Sequence, residues 1–295
     1  MVIVQLTGGL GNQMFQYAFG RYIAEKNQTV LKLDTHILLD RSPGKSKLFV
    51  FRNFDLDIFN ITAQTASLDE ISRFITPLYS NKYYYLFRRI LKKPYNRIIE
   101  PHFHFAEEML GLTLTDCYLI GGWQSENYFK SIENIIRKEF SFNFKLDSRD
   151  LELLDKIQNS NSVCVHIRRG DYVNHPVHGV TGLDYYEKAI NYLTSKISNI
   201  KLYIFSDDIE WCKQNFSINN IKSFFVDHSC TNGAFKYDLK LMTACKYYII
   251  PNSTFGWWAA WLNPNKEKIV IAPEKWFNDS KYDTQNLIPD DWIKI

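Results

Sequence analysis

Apolar residues follow two rhythms along the chain. Val2 to Leu6 is a near-continuous apolar run of strand length, and Phe15, Phe19, Tyr22 and Ile23 then recur at helical spacing. The pattern predicts a strand at 2–6, a turn over Thr7 to Gly11 and a helix over Asn12 to Lys26. A second apolar stretch, Thr29 to Leu33, completes a β-turn-α-β unit. From about 34 to 115, short apolar runs alternate with Pro43, Pro77, Pro94 and Pro101, and only mixed structure is expected. A strand at Tyr118 to Gly122 and one amphipathic helix over Ser125 to Phe140 follow.

Beyond about residue 155 the pattern becomes regular. Apolar strands are expected at Val163 to Ile167, Leu202 to Phe205, Ser223 to Val226, Tyr247 to Ile250 and Ile269 to Ile271. Helical stretches separate them near 183–197, 208–215, 235–245 and 254–262. This alternation implies crossover connections and a parallel, doubly wound α/β sheet, which binds ligands at the carboxyl ends of its strands.

The 295 residues allow one large or two medium α/β domains, and we expect two, divided in the polar stretch Lys145 to Ser162. A chain of this size buries enough surface to stand without a metal or disulfide staple. The composition, 45% hydrophobic and 23% charged, excludes a disordered or collagen-like protein. A net charge of +3 is too near balance for a nucleic-acid binder working by bulk electrostatics, so any anionic partner must be met locally. The 18 Tyr and 21 Phe fit either sugar-stacking surfaces or large aromatic cores. Five cysteines without a C-x-x-C signal neither a disulfide framework nor a zinc site, and fit a reducing compartment. Met1-Val-Ile-Val-Gln-Leu lacks the basic start of a signal peptide, and no window is apolar enough to span a membrane, so export and spanning are not expected. Asn-x-Ser/Thr triplets such as Asn60-Ile-Thr62 are then coincidental.

Chemistry concentrates where strands hand over to helices. Gly8-Gly9-Leu10-Gly11-Asn12-Gln13 is either a tight turn or a loop whose N–H groups meet an anion at a helix N-terminus. It is neither a dinucleotide fingerprint nor a Walker loop. His166-Ile-Arg168-Arg169-Gly170-Asp171-Tyr172 continues an apolar strand, and alternation puts His166 and Arg168 on one side at its carboxyl end. Its Arg-Gly-Asp tripeptide is not read as an adhesion signal. In Phe205-Ser206-Asp207-Asp208, Asp207 either caps the next helix in a capping box with Glu210, or a carboxylate here pairs with the guanine edge. Pro251-Asn252-Ser253-Thr254-Phe255-Gly256 offers a polar helix start suited to a pyrophosphate. Together these junctions point to a nucleotide diphosphate ligand. Asp55-Leu-Asp57 is read as turn or strand-edge acids, and His102-Phe-His104 lacks a third metal ligand, so no metal site is expected. Lys82, Arg88, Arg89, Lys92, Lys93 and Arg97 among Tyr83 to Phe87 form a basic aromatic strip. It suits either an anionic membrane surface or a solvated helix flanking an acceptor cleft.

GGLGNQMFQYAFGRYIA at 8–24, HIRRGDY at 166–172, FSDD at 205–208 and NSTFGWWAAWLN at 252–263 resemble the α1,2-fucosyltransferases of glycosyltransferase family 11. The resemblance implies a GT-B architecture of two facing Rossmann-like domains with parallel sheets. Residues 1–155 would be the acceptor side and 156–295 the GDP-fucose-binding side. It implies an inverting transfer of L-fucose from GDP-β-L-fucose to a galactose 2-hydroxyl, with no cofactor and no metal. The acceptor would be a galactose-terminated glycan, lipid-linked or free, in surface polysaccharide or O-antigen synthesis. Localisation would be cytoplasmic, either free or, if the basic strip 82–97 meets the membrane, peripheral on its inner face. Arg168 would hold the β-phosphate, and His166 with Ser206, Asp207 or Asp208 the guanosine. Asn252, Ser253, Thr254 and Phe255 would line the pyrophosphate, with Gly9, Leu10, Gly11 and Asn12 closing over it. Asp171, His175 and His178 are candidates for the base, Asp171 being equally a partner for Arg169. The alternatives are a non-catalytic nucleotide- or glycan-binding module and a transferase of another nucleotide sugar.

Overall fold

The first apolar run becomes β1 (Val2–Gln5), and the glycine turn leads into α1 (Leu10–Lys26). The computed structural model describes residues 1–42, 50–74, 96–173, 175–218, 220–228, 234–279 and 281–295. Elements are numbered among these. β2 (Leu31–Asp34), α2 (His36–Leu39), β3 (Gln64–Thr65), α3 (Leu68–Ser72), β4 (Arg97–Ile99), β5 (Cys117–Ile120) and α4 (Glu133–Glu139) follow. The strands pair parallel in the order β3-β2-β1-β5-β4. Helix α1 buries residues around most of its circumference, among them Phe15, Phe19 and Ile23, which makes it a core helix of this unit.

The second sheet carries α5 (Ser148–Gln158), β6 (Asn161–Ile167), α6 (Leu183–Lys196), β7 (Ile200–Ser206), α7 (Ile209–Asn215) and β8 (Ser223–Phe225). After these come α8 (Ala234–Met242), β9 (Tyr247–Ile249), α9 (Thr254–Leu262), β10 (Val270–Ala272) and β11 (Ile293–Lys294). Its strands are also parallel, in the order β11-β10-β9-β6-β7-β8. Counted within this sheet, that is the Rossmann order, and its direction reverses between β6 and β9. β6 is buried along six of its seven residues, as a central parallel strand must be. Val163, Val165, Leu202 and Ile204 pack there against Tyr186, Ala189 and Leu193 of α6.

Contacts divide the chain into Met1–Ser141 with Gln285–Leu287, and Phe142–Thr284 with Ile288–Ile295. Each unit is a parallel α/β domain of the class the sequence predicts. The polar stretch 145–162 is not a bare linker: it holds α5, capped by Asp147, whose side chain accepts the Asp150 N–H. Asp150 is buried against the second unit, which explains why α5 travels with it.

Two elements depart from the pattern. Helix α1 begins at Leu10 rather than Asn12, because Gly9 serves as its N-cap and the glycines enter the first turn. The single helix expected over 125–140 is broken into 3-10 turns at Glu126–Tyr128 and Lys130–Ile132 before α4. Tyr128 and Phe129 are both fully buried, and Phe129 leaves the helical region at φ −134°, ψ 10°. The basic strip from 82 lies outside the described residues up to 95. Among the described residues no helix is long and apolar enough to cross a membrane.

Candidate functional site

The reversal between β6 and β9 makes the crevice outside their carboxyl ends the expected ligand site. A cavity of about 380 Å³ opens on the β6 side of that reversal, at the carboxyl ends of β6, β7 and β8 and against Phe255 of α9. His166, Arg168, Ser206, Asp207 and Phe255, five residues picked out in the sequence, line it together. Asp171, Asp208, Asn252, Ser253 and Thr254 stand outside its wall.

Arg168 follows β6 directly, and carboxylates hold both arms of its fork. Nη1 lies 3.0 Å from Asp207 Oδ2, Nη2 bonds Asp171 Oδ1, and the guanidinium sits 5.3 Å from the Tyr172 ring centroid. Of the two arginines open to Asp171 in the sequence, Arg168 is its partner here, not Arg169. Asp207 uses its other oxygen on the Arg169 N–H at 2.9 Å. Arg169 is committed elsewhere, with Nε 3.1 Å from Asp208 Oδ2 and its guanidinium 3.6 Å over Trp211. Asp208 also caps α7, accepting the Trp211 N–H at 3.3 Å. Arg168 is therefore the arginine presented to the cavity, and Arg169 locks the corner behind it.

Gly170 makes this corner possible, since a Cβ there would stand 2.3 Å from Asp207 Oδ2. We expect Gly170→Ala to push Asp207 off Arg168 and lower turnover roughly a hundredfold by misplacing the fork. Steady-state kinetics and thermal unfolding check this, and wild-type turnover would show that Asp207 need not hold Arg168.

His166 is buried, and its Nδ1 has no hydrogen-bond partner. Burial, helped by the Arg168 charge, pushes its pKa down to about 3, so the ring is neutral. It rests against α9: a Cβ on Gly256 would lie 2.6 Å from Nδ1, and the Phe255 ring is 5.7 Å away. Helix α9 starts from Ser253, which makes no side-chain cap hydrogen bond, and has no acid in its first turn. Such an N-terminus suits an anion. Trp257, Trp258 and Trp261 bury the helix behind it. Asn252 has a different task. Its Nδ2 donates to the His178 carbonyl at 2.8 Å and the Trp276 carbonyl at 3.0 Å, while Oδ1 accepts from Thr181 Oγ1 at 3.0 Å. It fastens the loop after Arg168 to the start of α9.

Sequence reasoning missed two groups. Tyr186 donates to the His166 carbonyl at 3.1 Å and Tyr185 to the Ile250 carbonyl at 2.6 Å, so α6 grips the ends of both strands at the reversal. The far wall of the cavity contains His228 and Asp238. His228 Nδ1 is 2.6 Å from Asp238 Oδ1 and Nε2 is 2.8 Å from Asp150 Oδ1. A signal was present: Phe235, Asp238, Leu239 and Met242 fall at i, i+3, i+4 and i+7, an acid on an apolar helix face.

The hydrogen bond to Asp238, with Asp150 adding and burial opposing, raises His228 to about 9. Burial also raises Asp238, the opposite of what an ion pair alone would do. We take the imidazolium as charged because carboxylates bond both ring nitrogens. A histidine raised on folding stabilises the fold fully below its unfolded value of 6.5 and loses that contribution as pH climbs through about 9. We expect the thermal midpoint to fall across this window and His228→Gln to flatten the slope. Equal slopes in both proteins would remove His228 as the cause.

In the first unit, Gly9, Leu10, Gly11 and Asn12 sit at the carboxyl end of β1. Gly8 adopts φ +76°, a conformation glycine takes without strain, and Gly9 caps α1 without a side-chain bond. Fully buried Gln13 pins the loop, donating to the Gly8 carbonyl at 3.0 Å and the Asn53 carbonyl at 2.8 Å. Asp55 opens a 3-10 turn, Leu56–Ile58, and burial with Asp57 pushes its carboxyl up to about 6. Among the described residues no group of three or more His, Cys, Asp or Glu could hold a metal.

Comparison with known proteins accords with this geometry. The chain is 35% identical to an alpha-1,2-colitosyltransferase of Escherichia coli, over 100% of the chain and 99% of the relative. It is also 35% identical to the O-antigen biosynthesis glycosyltransferase WbnK of Escherichia coli, over 98% and 99%. The crystal structure of the alpha-1,6-fucosyltransferase NodZ soaked with GDP-fucose shares the fold at TM-score 0.51 and 14% identity, covering 89% of this chain and 92% of that one. The sequence profile described as glycosyl transferase family 11 matches residues 1–295, and the chain belongs to that family.

Proposed function

We propose that the protein transfers L-fucose from GDP-β-L-fucose to the 2-hydroxyl of a galactose-terminated glycan, with inversion and without a metal ion. The observation that carries this reading is Arg168, a bidentate cation held at the wall of a nucleotide-sized cavity beside the α9 N-terminus. Breaking the anomeric C–O bond leaves the electron pair on the β-phosphate oxygen, and Arg168 with the α9 N–H groups meets that charge. Neutral His166 and Ser206 contact the nucleoside. Asp207 and Asp208 each spend both carboxylate oxygens on Arg168, Arg169 and α7, whereas among the described residues Asp238 spends only Oδ1, on His228, so we assign the guanine N1–H and amino group to Asp238. Asn252 positions the α9 start.

The acceptor oxygen forms its bond to the anomeric carbon as GDP departs, and its proton must leave. We assign that proton to Asp171. A phosphate that takes the Arg168 fork releases this carboxylate from Nη2. His175 is a poor rival: its Nδ1 lone pair already accepts the N–H groups of Val177 and His178. The relative named for O-antigen biosynthesis supports a polysaccharide acceptor.

The colitosyltransferase relative favours a second reading, transfer of colitose from its nucleotide. Incubation with each activated sugar and a galactose-terminated acceptor, read by mass spectrometry with and without a chelator, tests both. We expect a fucosylated product with chelator present. Transfer of colitose alone would establish the second reading, and loss of activity restored by manganese would overturn the metal-free mechanism. Nucleotide binding without transfer from either donor would leave a binding module.

A further inference from the structure

The carboxyl end of β5 carries features that the donor chemistry does not use. The first sheet reverses its strand order between β1 and β5, and parallel sheets gather ligands outside such a reversal. β1 delivers the loop Gly8 to Asn12 there, and β5 delivers Gly121-Gly122-Trp123-Gln124. Buried Gln16 joins the two, its Nε2 donating to Thr7 Oγ1 at 2.9 Å and to the Gly121 carbonyl at 3.2 Å. Gln124 Nε2 donates to Asn12 Oδ1 at 3.3 Å.

The β5 turn is held against its own preferences. Glu100, one residue past β4, accepts the N–H groups of Gly122 at 2.6 Å and Trp123 at 2.9 Å. Trp123 adopts φ 54°, a left-handed conformation that bulky residues avoid, while its ring is fully buried and stacked 4.2 Å from Phe19. Strain of this kind persists only where its surroundings over-determine it, and it collects at ligand sites. Its product here is the placement of Gln124. Gln124 Oε1 and Trp123 Nε1 are both shielded from solvent without a hydrogen-bond partner. Orphaned buried polar atoms are rare in native proteins, and two occur on consecutive residues.

We propose that this turn is the acceptor-sugar subsite, in which Gln124 holds a hydroxyl of a neutral sugar; the inference rests on the glycosyl-transfer reading above. A sugar hydroxyl can donate to the unpartnered Gln124 Oε1. A phosphate, which offers acceptors only, matches less well.

Gln124→Ala and the size-conserving Gln124→Met test it. We expect the KM for acceptor to rise about five- to tenfold, the worth of one neutral hydrogen bond, while GDP affinity stays within about twofold. Acceptor KM within about twofold of wild type in both variants would overturn the proposal. So would a loss of GDP affinity in step with KM, since that marks a structural role. A wild-type protein that transfers no sugar would instead remove the functional reading on which the proposal stands.

Discussion

Arg168→Ala lowers turnover by about a hundred- to a thousandfold, or roughly 2.7 to 4 kcal/mol, the typical loss when one donor to a developing oxyanion is removed. In the proposed reaction the charge on the departing β-phosphate is larger in the transition state than in the bound donor, so the loss falls on kcat more than on donor KM. Arg168→Lys recovers little. A lysine keeps the charge but not the planar fork, and here Asp207 and Asp171 occupy the two arms separately. Arg169→Lys is milder, because that guanidinium is stacked on Trp211 and acts through the corner. Single-turnover rates with saturating donor check the ranking. Arg168→Ala near wild type would contradict it.

The second large effect is on base recognition. Asp238→Ala removes an acid that lines the cavity and bonds His228, and should weaken GDP binding roughly thirtyfold, the worth of hydrogen bonds to a charged acceptor. If Asp238 reads guanine, as proposed, its loss has a sharper signature than lost affinity. Inosine diphosphate lacks the amino group of guanine, so its binding should fall less and the preference for GDP should shrink. Calorimetry with both nucleotides decides: an equal loss for the two would reduce Asp238 to a brace for His228.

Legibility followed burial. β6 and the Arg168 corner could be read because an apolar run cannot end in His-Ile-Arg-Arg without presenting those groups somewhere. Five of the residues chosen this way meet in one cavity. What sequence could not show was commitment. Asp207, Asp208 and Asn252 stand at strand-to-helix junctions, yet hydrogen bonds to the protein occupy their side chains. Asp238 went unread because its partners, His228 and Asp150, come from distant segments. The break at Phe129 was hidden because 3-10 turns and a helix share much of their apolar spacing. Gln124 carried no motif, and its interest arises from the backbone of Trp123 and its own unpartnered Oε1.

The most direct measurement is a crystal structure with GDP-fucose bound. The account predicts both η-nitrogens of Arg168 on the β-phosphate, with Asp171 released from the fork and the pyrophosphate at the start of α9. A diphosphate bound elsewhere, with Arg168 still shared between Asp171 and Asp207, would contradict it.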